Sequence, residues 1–361
     1  LFPLLFLFIF SNSFFLMTLE IFRWSLYPLT YSLLSLASVT LGSFLSFVFI
    51  YYLDSSLIGF IAGQILSQLL LFLIGFLILF SKFTIRLKIE IAKLRIMLLY
   101  SYPIFIFLIA FFFLNYLDRW MINYFYSSEE VGIYSSAFRI ANILSISLLG
   151  SRLAFTPVAL RNEDSSKQFS SLMHFIIFSL LSLSFFLIGF GKEITLLILG
   201  NEYSETYQLL PFLLLSKIFL TIYIFSPGLE INRETFKLIY IAFIPLILGF
   251  FLSYVLTKSY GIYGAAIASC LTSLTFIILY LRSNELTGRV KYNWKGMFFS
   301  VVLFVIFCFM QAFINNVFLN LLIVFLLIFL VWNILFNKEE KKILFNGIKE
   351  IKDLIKNSQT S

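Results

Sequence analysis

Charged residues are scarce in this chain of 361 residues, where they make up 12% of the sequence. A soluble domain carries about a quarter. Hydrophobic residues make up 61%, and the mean hydropathy is +0.99. So few polar side chains cannot coat the surface of a soluble protein of this length. The composition excludes a soluble α/β enzyme, a disordered chain and a disulfide-stapled secreted module, and it is typical of a multi-pass membrane protein.

Metal ligands and catalytic motifs are equally rare. Histidine occurs once, at His174, and cysteine twice, at Cys270 and Cys308, whereas a structural zinc site needs about four such ligands. The sequence contains no Gly-rich phosphate loop and no nucleophile elbow. The longest loop predicted outside the membrane, 191–208, is too short to carry an active site. We therefore expect no metal, no bound cofactor, no catalytic residue and no enzymatic activity.

Long apolar runs are what the sequence has instead. A helix needs about 20 residues to cross a bilayer core of about 30 Å. Because the runs are continuous and do not alternate with polar residues, they predict helices rather than barrel strands. We expect an all-α polytopic membrane protein with about 11 transmembrane helices. The predicted spans are 1–18, 25–53, 57–80, 100–126, 131–155, 172–190, 209–228, 236–256, 261–281, 296–313 and 317–336.

Lysine and arginine predict the orientation, because they concentrate on the cytoplasmic side of membrane proteins. If spans one and three end inside, 21 of the 26 cations lie in cytoplasmic segments. Only Lys192 and Lys258 then lie outside. The remaining cations lie within spans. This distribution predicts a cytoplasmic C-terminus.

Two basic segments lie between or after the spans, at 82–99 and 337–361. The first contains the amphipathic sequence KFTIRLKIEIAKLRIML. Such segments are typical of helices that lie on an anionic inner leaflet. The net charge of +8 therefore needs no nucleic-acid partner.

An internal repeat relates two parts of the chain at an offset of about 205 to 210 residues. LGSFLSFV at 41–48 resembles LGFFLSYV at 248–255, and IGFIAG at 58–63 resembles YGAAIA at 263–268. Glu20 and Arg23 match Glu230 and Arg233. Spans one to three therefore repeat as spans seven to nine in the same direction, and parallel repeats are a recurring plan of transporters.

The repeat predicts a two-lobed, parallel six-helix architecture whose first lobe is incomplete in this chain, so that we expect an N-terminally truncated sequence. Two further helices follow the second lobe. The predicted segments are 1–81 (second half of the first lobe), 82–99 (basic linker), 100–282 (second lobe), 283–336 (two additional helices) and 337–361 (basic tail).

Four ionisable residues lie inside the predicted spans, where charge is costly and usually faces a cavity or a partner. Polar residues accompany them at helical spacing, which gives each apolar helix one polar face. The predicted cavity residues are Asn115, Asp118, Arg119, Asn123, Arg139, Asn142 and Lys217. Asp118 has two open interpretations, an ion pair that pins two helices and a functional carboxylate. One carboxylate cannot neutralise three cations, so the pattern favours a cationic cavity and an anionic substrate such as a phosphate or pyrophosphate.

The stretch YLDRWMINYFYSSEEVGIYSSAFRIANIL at 116–144 resembles the seventh and eighth spans of the polysaccharide flippases of O-antigen and capsule. These belong to the multidrug/oligosaccharidyl-lipid/polysaccharide exporter superfamily. ILGNEYSETYQLLPFL at 198–213 and YGIYGAAIAS at 260–269 resemble later family segments. The residues at the positions of the first motif are Asp118, Arg119, Val131, Gly132, Tyr134 and Arg139.

The resemblance implies two six-helix lobes that alternate between inward- and outward-open states in a bacterial inner membrane. It implies a flippase for undecaprenyl-pyrophosphate-linked oligosaccharide repeat units, with a polysaccharide polymerase or co-polymerase as a further partner. It leaves open whether H⁺ or Na⁺ drives transport. We expect Arg119, Arg139 and Lys217 to attract the pyrophosphate.

Three other functions remain open from the sequence. A peptidoglycan-precursor flippase would share the same chemistry. A multidrug or cation antiporter of the same superfamily would favour carboxylates in its cavity. An O-antigen polymerase or ligase would be an enzyme and would need a long basic outside loop, where this chain has only Lys192 and Lys258.

Overall fold

The computed structural model describes residues 2–53, 56–83, 90–148, 166–225, 228–287, 292–311, 316–336 and 340–341, and these contain helices and no strand. Within these residues, eight helices are long and apolar enough to cross a membrane. The all-α polytopic fold expected from the apolar runs is confirmed. The helices are α1 (Phe2–Trp24), α2 (Pro28–Leu53), α3 (Ser56–Lys82), α4 (Ile91–Phe125), α5 (Ser128–Ala141), α6 (Ile143–Ser147), α7 (Ser166–Gly189), α8 (Gly191–Leu199), α9 (Leu210–Ile222), α10 (Gly228–Ile231), α11 (Phe236–Glu285), α12 (Trp294–Met310) and α13 (Val317–Leu335).

The chain divides into two compact units, Leu1–Ile91 and Ala92–Ser361. The first unit consists of α1, α2 and α3. Its apolar core is small and is formed by Phe15, Leu19, Phe22, Leu34, Leu71 and Leu79. Most of its remaining large apolar side chains are exposed on the helix surfaces, which is the arrangement expected of helices surrounded by lipid.

Small residues let α2 and α3 approach closely. A Cβ atom at Gly63 would lie 2.3 Å from the backbone nitrogen of Ser46, and one at Gly59 would lie 2.7 Å from that of Ile50. Interhelical contacts of this kind are the usual function of small residues in membrane helices. Gly59 and Gly63 are therefore packing residues.

The segment Phe236–Glu285 is a helical hairpin. It is helical throughout except at Gly261, where φ is +59° and ψ is −140°, a conformation essentially restricted to glycine. The chain reverses direction there, and contacts between the two arms show it. A Cβ built at Gly249 would lie 2.7 Å from the Thr272 side chain, and one built at Gly264 would lie 1.9 Å from the Leu256 carbonyl oxygen. The two arms correspond to the predicted spans 236–256 and 261–281.

The close glycine contact at the start of the second arm also appears in the first unit. Gly264 and Gly59 occupy matching places in the sequence repeat, and each packs against the backbone of the preceding helix. The two copies of the predicted repeat thus share this one glycine contact.

The second unit contains the larger apolar core, to which α4, α5, α7, α9, α11, α12 and α13 contribute. Two of its helices begin at a residue whose side chain caps the helix. The Ser127 side chain accepts a hydrogen bond from the Glu130 backbone at the start of α5, and Asn293 caps α12 in the same way.

Three predicted segments differ from, or extend beyond, what the structure describes. Helix α4 begins at Ile91, so the second half of the predicted linker 82–99 is continuous with span four. The predicted span 131–155 runs from α5 through Asn142, whose φ and ψ stay helical, into α6, and its end lies outside the described residues. Most of the basic tail 337–361 also lies outside them.

Candidate functional site

Asp118 lies in α4 and is buried, with 3% of its surface exposed. Its carboxylate accepts a hydrogen bond of 2.5 Å from the Tyr134 hydroxyl of α5 and one of 2.8 Å from the Arg119 backbone. The Arg119 guanidinium is 3.5 Å away. A buried charge needs such partners to offset its lost hydration. Asp118 therefore joins α4 to α5.

The Arg119 guanidinium contacts both a polar group and aromatic rings. Its Nη1 donates a 2.8 Å hydrogen bond to the Asn115 carbonyl oxygen. Its Cζ lies 3.8 Å from the ring centre of Phe138 and 5.2 Å from that of Tyr116. These distances fit cation–π contacts. The guanidinium is thus fixed beside the Asp118 carboxylate.

Lys217 lies in α9, and only 6% of its surface is exposed. Its Nζ is 3.7 Å from the ring centre of Phe138 and donates a 3.3 Å hydrogen bond to Asn115 Oδ1. Phe138 therefore contacts two cations, one from α4 and one from α9. With Asp118, Arg119 and Lys217 ionised, this buried cluster has a net charge of +1.

A cavity of about 220 Å³ opens beside Lys217. Its polar wall consists of Asn115, Asn142, Ser145, Lys217 and Thr221. The Ser145 and Thr221 hydroxyls lie 3.3 Å apart. Side chains from three segments of the second unit therefore surround one space, whose wall is partly polar and partly apolar and includes the buried Lys217 side chain.

The structure brings together five of the seven residues that the sequence singles out. Asn115, Asn142 and Lys217 line the cavity, and Asp118 and Arg119 lie next to it. All five belong to the second unit.

The other two lie elsewhere. Asn123 is exposed near the end of α4 and accepts a hydrogen bond from Ser128. Arg139 is exposed, since its neighbour Phe138 occupies the inward position of α5. Neither lines the cavity, so the expected grouping of Arg139 with Lys217 is not what the structure shows.

Tyr134 and Phe138 are cluster residues that the analysis of polar stripes missed. Tyr134 is fully buried and donates to Asp118. The sequence could have indicated Tyr134, because it occupies a position of the family motif. Phe138 gave no signal, because the chain has 48 phenylalanines.

A second polar group missed by the analysis of charged residues joins α1 to α3. The Gln68 amide donates to Asn12 at 3.3 Å and accepts from Ser11 at 3.0 Å. Ser46 and Gln64 form a similar contact between α2 and α3 at 3.4 Å. These uncharged hydrogen bonds hold membrane helices together.

Within the described part of the chain, no group of three or more His, Cys, Asp or Glu residues could hold a metal ion. His174 instead pairs with Glu340, at 2.9 Å between Nδ1 and Oε1. Cys270 and Cys308 are free thiols. The helices and the buried polar cluster define the class of the molecule, a multi-pass membrane protein.

Comparison with known proteins gives the family. A sequence model described as polysaccharide biosynthesis protein matches residues 2–208. The match covers more than half of the chain, and the chain belongs to this family. No curated protein matches the chain significantly.

Solved structures share the fold at low sequence identity. A crystal structure of a MATE mutant superposes with a TM-score of 0.64 and 19% identity, covering 77% of this chain and 67% of that one. The lipid II flippase MurJ, in an inward closed conformation, gives a TM-score of 0.57 and 17% identity over 96% of this chain and 72% of that one. An outward-facing multidrug resistance MATE family transporter of the MOP superfamily gives 0.55 and 19%, covering 71% and 62%. The exporter fold expected from the sequence is confirmed.

Proposed function

We propose that the protein flips lipid-linked oligosaccharides, joined to the lipid through a pyrophosphate, from the cytoplasmic to the outer face of a bacterial inner membrane. The observation that carries this proposal is the buried Lys217 side chain, which lines a cavity with several polar residues in a polysaccharide biosynthesis family member. Transport by alternating access needs no covalent chemistry, which agrees with a site built from hydrogen-bond donors and cations.

The chemistry of the cavity suits a pyrophosphate. An ammonium group has three donors, and the bond to Asn115 uses one of those on Lys217. Asn142 adds a neutral donor to the same wall. Charge-assisted hydrogen bonds to phosphate oxygens are stronger than neutral ones.

The size of the cavity supports the same conclusion. Its volume of about 220 Å³ is smaller than that of pockets for drug-sized ligands, which begin near about 300 Å³. The space therefore suits a small anionic group. In this proposal the sugars and the lipid tail of the substrate lie outside it.

The likeness to MATE transporters suggests a cation exporter as the competing function. The net positive charge of the cluster disfavours it, because a cationic drug beside Lys217 and Arg119 would meet like charge. A peptidoglycan-precursor flippase would meet no such obstacle, since its substrate is also a lipid-linked saccharide.

The remaining parts of the proposal concern topology, coupling and partners. The cation distribution supports a cytoplasmic C-terminus. Asp118 is the carboxylate that we assign to any H⁺- or Na⁺-driven step, since it contacts both Arg119 and Tyr134. A polysaccharide polymerase would receive the flipped product.

Reconstitution tests the proposal. Proteoliposomes containing the protein receive fluorescent undecaprenyl-pyrophosphate-linked oligosaccharide, and an impermeant sugar-oxidising reagent reports how fast the inner pool becomes accessible. We expect faster access than in protein-free vesicles, and faster than with lipid II as the cargo. Equal rates with and without protein would refute the function, and a preference for lipid II would favour the peptidoglycan precursor.

A further inference from the structure

A second pocket of the larger unit lies away from the Lys217 cavity. It has a volume of about 340 Å³ and lies between α7, α9, α11 and α12. Among its wall residues are Leu181, Ile218, Ile277, Met297 and Val301. Its walls are almost entirely apolar, so it does not suit the saccharide or pyrophosphate of the proposed substrate.

The pocket opens at the outer surface of the helices. Ile278 and Phe298 line it and are 43% and 66% exposed. In a membrane, an opening on this surface meets lipid. Its volume falls in the range of ligand pockets, about 300 to 1,000 Å³.

One end of the pocket carries charge. Trp294 lines it at the start of α12, and the guanidinium carbon of Arg282 lies 5.4 Å from the Trp294 ring centre. Lys295 follows and, like Arg282, is exposed. Glu285 accepts a 3.0 Å hydrogen bond from the Trp294 indole. Trp294 thus contacts one cation and one carboxylate, and a second cation, Lys295, follows it in the sequence.

An apolar cleft with a tryptophan and an arginine at one end matches the form of a phospholipid. Tryptophan is enriched where hydrocarbon meets headgroups, and basic pockets between cytoplasmic helix ends bind anionic headgroups. Arg282 lies in a segment that the cation distribution assigns to the cytoplasmic side. Charge and apolar surface therefore point to the same ligand.

We propose that this pocket binds a membrane phospholipid with an acidic headgroup, whose acyl chain lies between α7, α9, α11 and α12 and whose phosphate contacts Arg282. The proposal does not depend on what the protein transports. The bound lipid would fill the space among four helices of the second unit and stabilise their packing.

Native mass spectrometry of the purified protein tests this site with equal amounts of dioleoyl phosphatidylglycerol and dioleoyl phosphatidylethanolamine. The wild type should retain phosphatidylglycerol in preference. Arg282→Gln should weaken that retention by about tenfold, the equivalent of one charge-assisted contact. Arg233→Gln removes another exposed arginine and should retain lipid as the wild type does.

A second variant tests the apolar part of the site. Val301→Trp fills the pocket and should reduce retention of both lipids, while Arg282→Gln, an exposed change, keeps the fold. Equal retention of both lipids by the wild type would overturn the proposal, as would identical behaviour of Arg282→Gln and Arg233→Gln. A dimer that Val301→Trp converts to a monomer would show that a second copy, and not lipid, covers the pocket.

Discussion

Asp118 is buried against Arg119 and Tyr134, and it thereby pins α4 to α5. The same cluster also reaches Lys217 through Asn115 and Phe138. One cluster therefore contains both the Asp118 contact, which stabilises two helices, and Lys217, which lines the cavity.

Tyr134→Phe should destabilise the protein. The change removes a hydrogen bond to a buried carboxylate, which costs about 1–3 kcal/mol. A lower melting temperature of the purified protein would show this. Tyr124→Phe is the matched control, because Tyr124 is 76% exposed and its loss should leave the melting temperature unchanged. Equal effects of the two variants would contradict the assigned bond.

Phe138→Leu should remove the cation–π contacts with Arg119 and Lys217. Desolvated cation–π contacts are worth about 2 kcal/mol. We expect a double-mutant cycle between Phe138→Leu and Lys217→Met to give a coupling of about 1–2 kcal/mol in unfolding free energy. The same cycle with Phe112→Leu, an exposed ring, should give none. Additive effects of the Phe138 pair would contradict the contact.

Helical spacing predicted part of the site because charges in spans are rare and conspicuous. It placed Asn115 and Arg119 on one face of α4 correctly. It failed for Arg139 because one residue turns a helix by about 100°, and Phe138 takes the inward position. It failed for Asn123 because α4 ends at Phe125, beyond the packed part of the cluster.

Among the elements, the hairpin of α11 depends on Gly261 and Gly264. Apolar run length alone predicted both arms, since a bilayer fixes the length of a span. The reversal between them needs positive φ at Gly261 and an absent Cβ at Gly264.

Gly264→Ala should therefore destabilise the hairpin strongly. The added Cβ would lie 1.9 Å from the Leu256 carbonyl oxygen, so the two arms must separate. The yield of folded protein in size-exclusion chromatography should fall. Gly132→Ala is the control, because no atom lies within 4 Å of its added Cβ and alanine favours helix by about 1 kcal/mol. Similar yields for both variants would contradict the close approach.

At the scale of the whole molecule, the cation distribution predicts which side faces the cytoplasm. Lys258 is expected outside and Lys237 inside, and both are exposed. In a Cys270→Ser, Cys308→Ser background, Lys258→Cys should react with an impermeant thiol reagent in intact cells. Lys237→Cys should react only after permeabilisation. The reverse pattern would invert the proposed topology.

Flipping by Lys217→Gln in reconstituted vesicles tests most directly whether the buried cluster recognises the pyrophosphate. Without Lys217, Asp118 and Arg119 neutralise each other, and the cavity loses its net charge. We predict at least about a tenfold loss of flipping, the equivalent of 1.4 kcal/mol, while Lys258→Gln, an exposed lysine, flips at the wild-type rate. Wild-type flipping by a correctly folded Lys217→Gln protein would contradict the account.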